Sequence, residues 1–402
     1  MAITTEDRDA LDRFLAVAPV WTGIAQAREV TGIGDRVLLH SGPPATADYP
    51  LVRPTLHSAA VACVYEGWAK SLDEADALIA SGGVRFLPAQ DHRTATPLAA
   101  VVSPSMRVLT FADAHNLDLR TCAPLNGGGT GAAHAPRYGR RSQEAIDLLR
   151  FLNDDVAPAI APAAAEPVLW YGIVDAALTL GDDAHLRHAE AHKLLVALLH
   201  ERLGAGFAGS KVGEFVGQFA IFHLNFWMAC ARCALLGGAG VKGSGFVTAF
   251  GGNGAQFGLQ VSGLPGRWFT VPATPPVGKV REPFTLDDCT GAYGDSALAE
   301  GFGLGAMAHS YCPDMRALHQ DFTPADLAGL PAKLLLADHP AFPKSRARAG
   351  LSVRTVTAAG VTPVVELGLV HKGGTDGGLG AGLYRPPLAP FAAACTALAG
   401  AA

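Results

Sequence analysis

No apolar run in this 402-residue chain approaches the roughly 18 residues that a membrane-spanning helix needs. Charge is sparse as well: charged residues are 17% of the chain and the formal net charge is −5, with no basic stripe. That removes the electrostatic footprint of a nucleic-acid binder. The short cluster from Lys344 to Arg348 follows Pro343 and reads as a solvated loop, with an anionic-substrate site as the other reading. Seven cysteines, an odd and scattered number, do not make a disulfide framework. Residues Met1 to Arg13 look like an acidic helix rather than a secretory leader, so reduced thiols and a cytoplasmic location are expected. Internal repeats, a dinucleotide fingerprint and a Walker lysine are all missing.

Hydrophobic residues are plentiful at 49%, and the 47 glycines sit mostly in the second half. A chain this long can bury about three quarters of its unfolded surface and divide into two or three domains. Thr4 with Asp7 predicts a helix cap, the helix running to about Ala18. Val37 to Leu39 reads as a strand closed by His40-Ser41-Gly42-Pro43-Pro44. Helices are expected from His57 to Lys70 and after Ser71, with short strands at Leu98 to Val102 and Arg107 to Phe111. The Ala/Pro stretch around Pro158, Pro162 and Pro167 reads as a linker. Lys211 to Leu236 reads as one long buried helix, and Val361 to Val370 as a strand. The expected class is mixed α/β: an α/β domain over 1–140, a helical segment over 141–237, and a Gly-rich α/β domain over 238–402 that need not be continuous.

Several segments have residues suited to chemistry. Asn253-Gly254, followed by Gly258 and Ser262-Gly263, is either an anion-binding loop or a twisted hairpin with bulges. Arg267 beside Trp268 offers a fork for a carboxylate, carbamoyl group or phosphate, or simply a stack on the indole. Asp295-Ser296 ahead of Glu300 can move a proton or cap a helix. His371-Lys372 closes a strand before a glycine-rich loop, a common place for a ligand. His188 and His192 have metal-ligand spacing without a zincin glutamate, and Cys230/Cys233 lie in an apolar run, so no metal or other cofactor is expected.

Taken together, His40 to Pro44, Tyr65 to Ala69, Ser103 to Met106, Gly181 to Arg187, Val247 to Ala249, Asn253-Gly254, Val261 to Phe269, Gly294 to Ala297, His371-Lys372 and Gly380 to Gly382 keep one order along the chain. That order resembles the AllG-type (YlbE-type) family, the large subunit of oxamate carbamoyltransferase. The resemblance runs from about Val20 to Phe391. It implies two intertwined α/β domains with a small helical domain. It also implies exchange of oxalurate and phosphate for oxamate and carbamoyl phosphate in allantoin breakdown, within an oligomeric assembly holding an FdrA-like partner that resembles an acyl-CoA synthetase. The chain departs from the family pattern at Ala89 to Thr94, at His185 to His188 and at Phe219 to Ile221, which leaves another amide, ureido or carbamoyl substrate open.

On this reading the chain is a carbamoyl-transfer enzyme or subunit acting on a small ureido or amide acid. His371, Glu300 and Asp295 are the catalytic candidates. Asn253, Gly254, Ser262, Arg267, Lys372, Ser296 and His40 are the substrate and anion candidates. The alternatives are a hydrolase or lyase of a related amide, and a non-catalytic subunit that holds the FdrA-like partner.

Overall fold

The computed structural model describes residues 3–127 and 134–400. Thr4 caps the first helix, Thr5–Ala16, by accepting the Asp7 amide at 3.2 Å. Its inward positions Ala10, Leu11 and Phe14 have no exposed surface. The Asp7 carboxylate accepts from Gly245 N at 2.6 Å, Ser244 Oγ at 3.0 Å, Ser352 Oγ at 2.6 Å and Arg354 Nη1 at 2.8 Å. The first helix is thereby fastened to the last third of the chain, and its apolar face enters a core running from Ala10 to Ala349.

Strand Pro19–Gln26 pairs antiparallel with Arg107–Asp113, which pairs with Asn116–Pro124. A three-stranded sheet lies beside it: Val37–His40 runs parallel to Arg85–Pro88 and antiparallel to Val101–Val102. A parallel pair needs a long crossover, here supplied by helices Arg53–Tyr65 and Leu72–Ala80. The first of these starts four residues before the expected His57, because Pro54 fits the first helical turn, where its missing N–H is no loss. Ser71 caps the second through the Glu74 amide, as its spacing predicts.

The middle of the chain departs most from expectation. The Ala/Pro stretch is packed rather than a linker. Leu152, Val156, Ile160 and Ala163 are buried, and Val168–Leu169 completes an edge of the first sheet. Pro158 and Pro162 each open a new helical turn, where proline is tolerated, so the chain turns without being released. The single helix expected over Lys211 to Leu236 is two, Lys211–Gln218 and Phe222–Gly237, meeting at 73°. No single described helix is long and apolar enough to cross a membrane. The second of the pair is buried nearly throughout, and its Phe226 ring stacks on Trp170 at 4.7 Å and 9°.

The Gly-rich run is a twisted antiparallel hairpin, Val247–Asn253 and Gln256–Val261, with an irregularity between Val247 and Ala249. Phe269–Pro272 and Tyr293–Gly294 flank it. Strand Val365–Val370 pairs with Gly378–Tyr384, which pairs with Val277–Val280. Leu335–Asp338 and Arg348–Leu351 form a two-stranded ribbon, and helix Ala389–Gly400 closes the chain. The class is mixed α/β, as expected.

Candidate functional site

The carboxyl ends of two parallel strands, Val37–His40 and Arg85–Pro88, deliver the loops His40-Ser41-Gly42-Pro43 and Ala89-Gln90 to one place. Open α/β sheets take ligands at such strand ends. Here the loops meet the Gly251 to Asn253 backbone and Asp295. The Asp295 carboxylate accepts from Gly42 N at 2.8 Å and Gln90 Nε2 at 2.6 Å on one oxygen, and from Thr96 N at 2.9 Å on the other. Asn253 Nδ2 donates to the Pro43 carbonyl at 2.9 Å. Gly42 has φ +71°, and a Cβ there would lie 2.3 Å from the Gly252 carbonyl carbon, so only glycine fits. The result is a polar seam between the first quarter of the chain and residues 251–295.

Asp295 caps no helix. It sits in the 3₁₀ turn Asp295–Ala297, with its carboxylate spent across the seam. Burial pushes its pKa up to about 7, against the donors from Gly42, Thr96 and Gln90 and the Arg232 charge. A carboxyl that changes protonation near neutrality, held by three donors, can exchange a proton with a substrate. His40 Nδ1 donates to the Ser41 carbonyl at 2.8 Å, which leaves Nε2 buried and without a partner. Burial lowers this histidine's pKa to about 4, so the ring is neutral with a bare acceptor nitrogen.

Glu300, on helix Leu298–Phe302, faces a different cluster. His185 Nδ1 is 2.8 and 2.9 Å from its two oxygens, and Oε1 also accepts from Ala306 N and Glu366 N at 3.0 Å each. At Gly305, with φ +65°, a Cβ would fall 2.0 Å from that oxygen, so the backbone lies directly on the carboxylate. Asp183, Glu366, His309 and His319 complete this buried nest. Burial raises Asp183 well above the usual carboxylate range, and the Glu366 charge adds to the rise. Burial pushes Glu366 up, but the His309 and His319 imidazoles at its carboxylate outweigh it and hold it down to about 2. His185 loses by burial and gains more from Glu300, so its pKa is raised.

A string of rings leads away from the nest, with its tautomers fixed by one donor. Trp170 Nε1 donates to His223 Nε2 at 3.2 Å. His223 therefore carries its proton on Nδ1 and donates to His188 Nδ1 at 2.9 Å. His188 in turn donates from Nε2 to the His185 carbonyl at 2.9 Å. Both nitrogens of His188 are engaged, and it precedes helix Ala189–Leu203 rather than lying within it, so the His188/His192 pair does not present two free ligands. Burial lowers His188 to about 3 and takes His223 well below the usual imidazole range.

The other sequence candidates have partners elsewhere. Asn253 Oδ1 accepts from Ala255 N and Gln256 N, closing the hairpin turn that contains Gly254. Ser262 Oγ donates to the Gly238 carbonyl and accepts from Val241 N. Ser296 is buried beside Asp295 in the same turn. Arg267 is exposed, with its guanidinium 5.0 Å over Phe269 rather than on Trp268, whose indole donates to Asp91. His371 lies 2.9 Å from Thr375 Oγ1 and 3.3 Å from Asp376, and Lys372 reaches the Asp287 carbonyl at the surface. The fold thus brings the His40 loop, Asn253, Asp295 and Ser296 together. It turns Glu300 toward the nest and leaves Ser262, Arg267, His371 and Lys372 with separate partners. Asp183, His309, His319 and Glu366 escaped the sequence reading. The one available signal was Glu366, a lone carboxylate inside the apolar run Val361 to Val370.

Residues 84–296, which include Gln90, Thr96, Asn253 and Asp295, match the family model described as oxamate carbamoyltransferase subunit AllG. The oxamate carbamoyltransferase subunit AllG of Escherichia coli (strain K12) is 28% identical across 99% of this chain and 96% of its own length. The uncharacterized protein YahG of the same strain is 31% identical across 97% of this chain and 84% of its own. A crystal structure of a conserved protein of unknown function from Enterococcus faecalis V583 matches with a TM-score of 0.91 at 28% identity, covering 98% of this chain and 97% of that one. With a family model matched over more than half its length and relatives aligned almost end to end, the chain belongs to the AllG family.

Proposed function

We propose that this chain is the large subunit of a carbamoyl-transfer assembly, moving a carbamoyl group between a small ureido or amide acid and phosphate. The observation that carries this reading is the nearly full-length likeness to a protein named as a subunit of oxamate carbamoyltransferase. The subunit name favours an assembly, and an FdrA-like, acyl-CoA-synthetase-like protein is the proposed partner.

The polar seam supports the chemistry. In phosphorolysis a phosphate oxygen attacks the carbamoyl carbon, the C–N bond to the acid breaks, and the departing nitrogen gains a proton. Asp295, protonated over part of the neutral range, is the proposed donor. The Gly42 and Thr96 amides, which donate to its carboxylate, are the proposed donors to a developing oxyanion. His40 Nε2 would accept from the carbamoyl NH₂, and Asn253 would orient its carbonyl. Asp295 has no exposed surface, so substrate enters when the His40 to Pro43 loop lifts from Gly252 and Asn253. Arg267, His371 and Lys372 then serve anion capture or partner docking at the surface.

The test is an assay of the purified chain, alone and with a co-expressed FdrA-like partner, on oxalurate and related ureido acids, detecting carbamoyl phosphate directly. Carbamoyl phosphate that forms only when phosphate is supplied is expected. Turnover without phosphate would replace transfer by hydrolysis or lysis. Absence of turnover by the full assembly on every ureido acid would leave a non-catalytic, partner-holding role.

A further inference from the structure

We propose that Asp183, His309 and Glu366 bind a divalent transition-metal ion, zinc foremost, that pins three separate segments of the chain together. Asp183 lies in the loop after helix Tyr171–Thr179, His309 follows the 3₁₀ turn Gly305–Ala308, and Glu366 is on strand Val365–Val370. One ligand atom from each lies within 4.8 Å of the other two. Bonds of about 2.0–2.2 Å put the donors of a tetrahedral ion about 3.3–3.6 Å apart, so binding draws the three side chains together by up to about an ångström.

The surroundings are those of a ligand set rather than of a finished hydrogen-bond network. Asp183 Oδ1 accepts from the amides of His185, Leu186 and Arg187 at 2.6, 3.0 and 3.1 Å, which fixes the carboxylate and leaves Oδ2 buried with no partner. Glu366 Oε1 contacts His309 and lies 3.3 Å from His319 Nε2, while Glu366 Oε2 has no partner. His309 Nδ1 and His185 Nε2 are unpartnered as well. Asp183, Glu366, His309, His319 and His185 are all at least 97% buried. A buried polar atom without a partner is rare, and here Asp183, Glu366, His309 and His185 each contribute one to the same place. A cation would satisfy the free carboxylate oxygens.

The outer shell is also in place. Glu300 receives His185 Nδ1 in the carboxylate–histidine arrangement that directs the other ring nitrogen at a metal, and the His319 ring stacks on His309 at 5.9 Å and 7°. His185 and His319 border the three ligands and are the proposed sources of a fourth. Mixed imidazole and carboxylate donors suit zinc or a neighbouring first-row ion rather than calcium. Closure from solvent makes the site structural, independent of the transfer chemistry at the seam.

The chain, purified without chelators, is to be analysed for metals, stripped with dipicolinate and refilled with zinc or cobalt(II). The expected result is on the order of one ion per chain, lost on stripping with a fall in melting temperature and regained on refilling. Cobalt should give the visible bands of a tetrahedral nitrogen and oxygen site without thiolate charge transfer, which excludes the seven cysteines even if no variant folds. His309→Gln and Glu366→Gln, where folded, should lose the ion. A wild-type chain that holds no metal and does not respond to added zinc, manganese or cobalt would overturn the proposal and leave a proton shared between Asp183 and Glu366. So would retention of the ion by folded His309→Gln, or a thiolate spectrum.

Discussion

At Gly42 a single methyl group decides whether the His40 loop closes on the Gly252–Asn253 backbone. An alanine there would place Cβ 2.3 Å from backbone that cannot rotate away, at a φ of +71°. The left-handed backbone alone costs about 1–2 kcal/mol, and overpacking adds about 1–3 kcal/mol. Gly42→Ala should therefore destabilise the protein by about 3 kcal/mol in a urea titration. A loss below about 0.5 kcal/mol, the range of ordinary surface changes, would contradict this account of the seam. The turn at His40 to Pro44 was legible in the sequence because glycine and prolines punctuate it. The role of Asp295 was not, because the amide that binds it comes from Gly42, 253 residues earlier. Local pattern offered a helix cap, and a long-range partner took the side chain instead.

At the scale of elements, the ribbon Leu335–Asp338/Arg348–Leu351 opens into a turn that sets His339 among Phe14, Tyr171, Phe302 and Phe342. Its Nδ1 accepts the Ala341 amide at 3.2 Å, and burial lowers its pKa to about 4. Above pH 6.5 the ring is neutral both folded and unfolded. Below that the unfolded chain takes a proton that the folded chain refuses, so stability is lost as pH falls from 6.5 toward 4. His339→Phe removes this term. The variant should gain on wild type by about 1.4 kcal/mol per pH unit across that window, read as the difference between two denaturation curves at each pH. A constant difference from pH 7 to 5 would contradict it. Elements with a local cause were the legible ones. Thr4 and Ser71 cap as their spacing demands, and the Gly-rich run is a hairpin. The break at Phe219 to Ile221 was hidden because those residues are as apolar as the helices they separate. The prolines at 158 and 162 look like linker residues, yet at first-turn positions they start helices.

For the whole molecule, the family was legible from the order of short strings along the chain, and the mixed α/β class followed. How the parts interlock was not. Asp7 fastens the first helix to Gly245, Ser352 and Arg354, and one core joins residues from Ala10 to Ala349. The seam at Asp295 is a second such closure, made by loops 210 and 253 residues apart in sequence. On the proposed reading, carbamoyl transfer takes place at this seam, with Asp295 giving the proton. The most direct test is the pH dependence of phosphate-dependent carbamoyl phosphate formation by the assembly containing wild-type or Asp295→Asn chain. In the wild type the rate should fall as pH rises through about 7, where Asp295 loses its proton. Asp295→Asn should lose that limb and about 10²–10⁴-fold in turnover while still assembling with its partner. A variant that assembles, turns over at the wild-type rate and keeps the same pH limb would contradict the claim and move the chemistry away from the seam.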